Sequence, residues 1–264
     1  MFNSNDEEFL IEKANIKIVG VGDFGAEMVN YSIANMLLEV KFAVVGTKDE
    51  TLLKSSAPQR IKVTDSIDEE VKKIFSELVR EVDVLFIFTD LSDENISMQL
   101  AELAEKVLTV AVVPSANFDK EKIEKFQNLT DSLVVVENQN VDLMFKVARC
   151  ISGLVDYEYG LVGLDYADIK SILTNSGRGY IACGKANGEK ATDAMKIAIN
   201  SMKETLQHSK RILLGLFGCM EESSSTTNLS MKEIHEAVTI LQESADPEAE
   251  IVWGVMTDSI ITDY

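Results

Sequence analysis

Histidine, cysteine and basic charge are scarce in this chain, and each scarcity removes a class of chemistry. Only two histidines, His208 and His235, occur among 264 residues, and they lie far apart. A histidine-built metal site is excluded, and a Ser-His-Asp triad has little to be built from. Cys150, Cys183 and Cys219 are odd in number, widely spaced and set in apolar surroundings. That pattern reads as reduced, buried thiols, not as a disulfide framework. Twenty-five Lys and Arg against 44 Asp and Glu leave a formal net charge of −19. Such acidity argues against nucleic-acid binding and against adhesion to an anionic membrane. No apolar run reaches the length of a membrane span, so direct membrane insertion is not expected. The opening residues, Met1 to Glu8, are acidic and polar, unlike a secretory signal. The expected location is the cytoplasm.

What is present is a large apolar inventory, 46% of the residues, enough for one big or two small domains. Ile16–Gly20, Phe42–Val45, Val84–Phe88, Val110–Val113 and Leu133–Val136 are near-continuous runs of Val, Ile, Leu and Phe. Helix-patterned stretches alternate with them, including a face formed by Ile67, Val71, Ile74, Phe75, Leu78 and Val82. This alternation predicts an α/β fold, a doubly wound parallel sheet covered on both faces. A broad apolar face from Leu143 to Val155 predicts a long buried helix, ending near the polar stretch Asp156–Gly163. Beyond it the pattern predicts helices at Ala167–Leu173, Glu189–Met202 and Met231–Gln242. Strands are expected at Tyr180–Cys183, Ile212–Phe217 and Glu250–Met256, giving a smaller α+β unit.

Two strand-to-helix turns bear on chemistry. Gly20-Val21-Gly22-Asp23-Phe24-Gly25 follows the first strand, a spacing that lets bare amides approach a diphosphate. The same three glycines equally suit a tight turn with no ligand. A dinucleotide reading wants an acid after the second strand, where Gly46-Thr47-Lys48 stands. The second turn, Asp90-Leu91-Ser92-Asp93-Glu94-Asn95, has three carboxylates and no glycine. Phosphate-binding turns at this position expose amides, so this one is built against an anion. A carboxylate about 4 Å from a phosphate charge, at an effective dielectric near 20, costs roughly 4 kcal/mol, or about a thousandfold in affinity. Ser92 or Asp93 is also a candidate N-cap, and first-turn acids suit a helix dipole.

Four segments in order resemble FtsZ, the tubulin-like bacterial cell-division GTPase family. They are Ile16–Gly22, Gly163-Leu164-Asp165-Tyr166-Ala167-Asp168-Ile169, Gly184–Glu189 and Ser244–Gly254, and the resemblance covers roughly Ile16 to Asp258. It implies a tubulin/FtsZ-like fold divided as 1–140, a nucleotide-binding-type domain, 141–160, a central helix and linker, and 161–264, a second α+β domain. That second domain carries the Gly163–Asp168 loop and lacks the family's last strands and adaptor-binding tail. By the same resemblance Gly20, Gly22, Gly25 and Asn138 match cofactor-binding positions, and Asp142 stands near a base-contacting acid. Asp165 and Asp168 match the acids that act in trans on a neighbour's terminal phosphate. The Asp90–Asn95 turn replaces the family's main glycine-rich phosphate cradle, and Thr64–Glu69 replaces a further glycine-rich loop. The resulting expectation is a non-catalytic or very weak GTPase that binds or caps FtsZ-type filaments, with no cofactor and no metal of its own. Self-association is a further possibility. The rival expectation is an active GTPase that binds GTP or GDP with Mg²⁺ and self-assembles.

Overall fold

In a computed structural model the described residues are 14–35, 37, 40–64, 68–115, 119–137, 140–155, 160–186, 191–218 and 229–257. The first part runs β1 (Ile16–Val21), α1 (Gly22–Ala34), β2 (Val40–Gly46), α2 (Asp49–Lys54), β3 (Gln59–Lys62), α3 (Glu69–Leu78) and β4 (Val84–Phe88). It continues with α4 (Glu94–Leu103), β5 (Leu108–Pro114), α5 (Lys120–Gln127), β6 (Ser132–Val136) and α6 (Val141–Leu154). The later elements are β7 (Gly160–Val162), α7 (Tyr166–Leu173), β8 (Gly177–Gly179), α8 (Ala191–Ser201), α9 (Lys203–Leu206), β9 (Arg211–Gly218), α10 (Met231–Ser244) and β10 (Glu250–Thr257).

A seven-stranded parallel sheet in the order β3-β2-β1-β4-β5-β6-β8 forms the larger layer. Its central strands are buried along their whole length, as helices on both faces require. Alternate residues divide between two cores. Ile18, Val44, Phe86, Val110 and Val134 pack with Met28 of α1, Met144 and Ile151 of α6, and Ile169 of α7. Val19, Val45, Ile87 and Val113 pack on the other face with Phe75 of α3, Leu100 of α4 and Phe126 of α5. Each such side chain contributes about 1.5–3 kcal/mol by leaving water. Local signals set the helix starts: Asp68, Asp119, Asn140 and Ser230 each accept hydrogen bonds from the first turn of α3, α5, α6 and α10.

The smaller sheet, β7-β10-β9, pairs β10 parallel to β9 and antiparallel to β7. One face packs on α8 and α10, the other on α6. Contact with α6 is close because two glycines omit a side chain. A Cβ on Gly153 would lie 2.3 Å from Met256 Sδ, and one on Gly215 would lie 2.7 Å from Cys150 Sγ.

The structure departs from the sequence pattern in three places. The polar connection after β2 holds α2 and β3. Gly160–Val162, in the expected linker, is a strand. Tyr180–Cys183 is not a strand; β8 comes earlier and joins the larger sheet beside β6. Asp131 explains the shift, since its backbone oxygen accepts from the amides of Ser176 (2.8 Å) and Gly177 (3.2 Å). Asn175 (φ 48°) and Gly177 (φ 72°) supply the left-handed turn that brings the chain there.

Candidate functional site

At the carboxyl end of the larger sheet, β1 enters α1 with no intervening loop. Val21 is extended (φ −109°, ψ 126°) and Gly22 opens the helix at φ 71°. Gly20 and Gly25 serve packing: a Cβ on Gly20 would lie 2.1 Å from the Gly25 oxygen, and one on Gly25 would lie 2.5 Å from the Phe88 oxygen. Only Gly22 presents an open backbone face. Asp93 covers it, with Oδ2 only 2.6 Å from where a Gly22 Cβ would stand.

The turn after β4 explains how Asp93 reaches that place. Asp90 accepts hydrogen bonds from the Ser92 amide (3.0 Å) and hydroxyl (2.9 Å), closing the turn locally. Leu91 is left-handed at φ 60°, a conformation glycine adopts without strain, and its side chain is buried in the core shared with α3 and α4. Its amide donates to Thr89 Oγ1 (3.0 Å), which also pairs with Ser97 Oγ (2.9 Å). Asp93 is the N-cap residue of α4, yet its carboxylate makes no capping bond to α4. Thus the N-cap expectation holds for position alone, and the side chain crosses to α1. Glu94 pairs with Lys122 of α5 at 2.9 Å.

A second acid borders the same place. Asp23, in the first turn of α1, pairs with Lys48 at 2.7 Å and accepts from the Thr51 hydroxyl. Hydrogen bonding to Lys48, then to Thr51, holds the Asp23 carboxyl below its ordinary value. Lys48 is raised in turn, chiefly by its hydrogen bond to Asp23, with the Asp93 charge adding to the effect. The acid missing from the end of β2 is therefore a lysine that answers an acid on α1. These residues do not fit a nucleotide phosphate: the open face of Gly22 is covered by a carboxylate, and a second carboxylate stands next in sequence.

Toward the base side, Asn140 caps α6 through the Leu143 amide (3.0 Å). Asp142 pairs with Lys146 at 2.6 Å, and the Tyr31 hydroxyl lies 3.5 Å from its carboxylate. Asn138 lies outside the described residues, as do residues 65–67 of the Thr64–Glu69 segment. Among the described residues no cluster of His, Cys, Asp and Glu is arranged to hold a metal.

The second candidate surface lies at the opposite edge. Asp165 is the N-cap of α7 and accepts from the Asp168 amide at 3.0 Å. Both acids are exposed. The Tyr166 hydroxyl donates to the Asp83 carbonyl at 3.0 Å, at the amino end of β4. Asp93 follows the carboxyl end of that five-residue strand, so β4 separates the two surfaces by about 17 Å. The structure therefore keeps Asp165 and Asp168 together, and places Gly20, Gly22 and Gly25 together elsewhere. Sequence reasoning missed Lys48 as the partner of Asp23. The signal was its position after β2, opposite the α1 acid.

No family model matches this chain. Among curated proteins it is 27% identical to cell division protein FtsZ 1 of Methanocaldococcus jannaschii, covering 93% of this chain and 79% of that protein. It is 25% identical to the mitochondrial division protein fszB of Dictyostelium discoideum, covering 92% of this chain and 79% of that protein. A solved FtsZ structure from M. jannaschii superposes with a TM-score of 0.73 at 23% identity, covering 94% of this chain and 87% of that one. Sheet order, central helix and the two opposed loop sets thus define a tubulin-like α/β protein. The chain is similar to FtsZ proteins along 93% of its length and has the tubulin/FtsZ-like fold.

Proposed function

We propose that this protein is a cytoplasmic, non-catalytic partner of FtsZ-type filaments that acts in division and caps them. The observation that carries the reading is the Asp93 carboxylate lodged against Gly22 at the start of α1. Supporting it, Asp23 and Lys48 neutralise one another beside that point. An anion brought there meets a fixed negative charge in place of bare amides.

The α7 edge tells the other half. Asp165 and Asp168 are exposed and ordered on a helix start, available to meet a neighbour's nucleotide-bearing face. Head-to-tail growth needs two competent ends, and a subunit with one stops the series. Its own carboxyl edge offers Asp90 and Asp93 where a further subunit's acids would arrive, and like charges there oppose addition. The α7 loop belongs to the third of the expected parts, 161–264, although β7 begins at Gly160 and β8 joins the larger sheet.

Cosedimentation with an active FtsZ tests the proposal. Substoichiometric amounts should lower polymer mass, and equal mass with and without the protein sinks capping. A guanine-nucleotide titration separates the rival GTPase reading, which requires micromolar binding of GTP or GDP with Mg²⁺ by the unmodified chain.

A further inference from the structure

Tyr166 stands between Asp165 and Asp168 in sequence and is the first residue inside α7. Its neighbours on that helix divide into two sets. Ile169, Ile172 and Leu173 are buried in the core of the larger sheet, while Asp165 and Asp168 are exposed. Tyr166 itself is half-buried and packs against that same core. The Lys170 ammonium, one turn on, lies 5.8 Å from its ring centroid. Neither contact needs a hydroxyl, since a phenylalanine ring would make both.

The hydroxyl has a separate use. It donates to the Asp83 carbonyl at 3.0 Å. That oxygen also accepts from the Leu108 amide at 3.1 Å, so both of its lone pairs are engaged. Asp83 is itself tied down: its amide donates to the Asn15 carbonyl (2.9 Å), and its carboxylate accepts from the Asn15 amide (2.7 Å). Asn15 leads into β1, Asp83 leads into β4, and Leu108 opens β5. The anchor beneath Tyr166 therefore belongs to three adjacent strands of the larger sheet. Burial, then the Asp83 and Asp131 charges, push the phenol above its ordinary value, so it stays a donor through the neutral range. At its far end α7 is gripped from β9, where Arg211 donates to the Ile172 and Thr174 carbonyls (3.4 and 2.8 Å).

We infer that Tyr166 is a positioning residue for the exposed acid pair: its hydroxyl, docked on Asp83, fixes the direction in which Asp165 and Asp168 face a partner. At about 100° per residue, Asp168 points roughly 160° away from Tyr166 around the helix axis. Pinning Tyr166 to the sheet thus turns Asp168 outward. Asp165 follows, because its carboxylate accepts from the Asp168 amide at 3.0 Å. Phenylalanine at 166 would keep the core contact but leave the first turn free to rotate and fray. The partner in this inference rests on the proposed function, whereas the fixing of the first turn is a property of the free chain.

Tyr166→Phe in the intact chain removes only the hydroxyl oxygen and is read in two assays. Hydrogen exchange of the free protein comes first. The Asp168 and Ile169 amides should exchange about fivefold faster, the loss of an ordinary hydrogen bond, while β4 and β6 amides keep their rates. Unchanged α7 rates, or a uniform rise in every element, overturn the inference. Affinity for an active FtsZ comes second, measured by cosedimentation as a double-mutant cycle. Tyr166→Phe should weaken binding about fivefold on its own, and should add nothing once Asp165→Asn and Asp168→Asn have removed both charges. Equal losses in the two backgrounds make the hydroxyl a stability group alone and overturn the inference. A chain whose α7 amides respond as stated, but which has no affinity for FtsZ, keeps Tyr166 in its role and sinks the filament partner instead.

Discussion

Replacing Asp93 with glycine should convert the carboxyl edge of the larger sheet into an anion site. The change removes the Oδ2 that lies 2.6 Å from the Cβ position of Gly22, together with its charge. At about 4 Å and an effective dielectric near 20, that charge opposes a phosphate by roughly 4 kcal/mol, or about a thousandfold in affinity. The fold should tolerate the change, because the carboxylate makes no capping bond to α4. Its interaction with the α1 dipole is worth about 0.3–1 kcal/mol, and glycine at an N-cap costs only a few tenths more. Asp93→Asn separates the two effects, since it removes the charge but leaves the atoms. Titration with a fluorescent guanine nucleotide should rank Asp93→Gly above Asp93→Asn, and both above the unmodified chain. The reasoning is refuted if the unmodified chain already binds at micromolar concentration, or if glycine at 93 leaves affinity unchanged while thermal melting shows an intact fold.

Asp165→Ala should cost about 1 kcal/mol in urea unfolding through loss of the α7 cap, whereas Asp165→Asn keeps the cap and should be nearly neutral. If Asp165→Asn also loses the effect on FtsZ polymer mass, the charge and not the cap meets the partner. Gly25→Ala places a Cβ 2.5 Å from the Phe88 oxygen and should lower stability by about 1–3 kcal/mol in the same assay. Lys48→Ala should raise the Asp23 pKa toward 3.8, as read by carboxyl NMR. Because the folded value is lowered, that pair contributes above the unfolded pKa and is lost as pH falls through the folded one, so the variant's acid-unfolding curve should be flatter below pH 3.8. Desolvation pushes the half-buried Cys150 thiol up to about 12, so iodoacetamide at pH 8 should modify it far more slowly than after unfolding, as peptide mass spectrometry will show.

The central strands were legible because burial on both faces demands unbroken Val, Ile, Leu and Phe; Val84–Phe88 is bounded as its composition suggests. Short elements were not. α2 is six residues with one buried leucine, and β8 is Gly-Arg-Gly, so neither carries a periodic signal. At the site, three acids in one turn announced a negative place, but not where each would point. Composition does not disclose that Asp90 closes its own turn, that Glu94 turns to Lys122, or that Asp93 reaches across to Gly22. Those directions follow from the φ of Leu91, a torsion that residue type argues against.

The left-handed Leu91 also bears on how firmly Asp93 is held in place. A leucine there carries roughly 1–2 kcal/mol of steric penalty that a glycine would not. The main chain nevertheless holds the bend, anchored by the buried leucine and by the Thr89–Ser97 hydroxyl pair. The acid at this corner is thus aimed by groups beneath it: the strain of one torsion is balanced by apolar burial, and the direction of Asp93 is inherited from that balance.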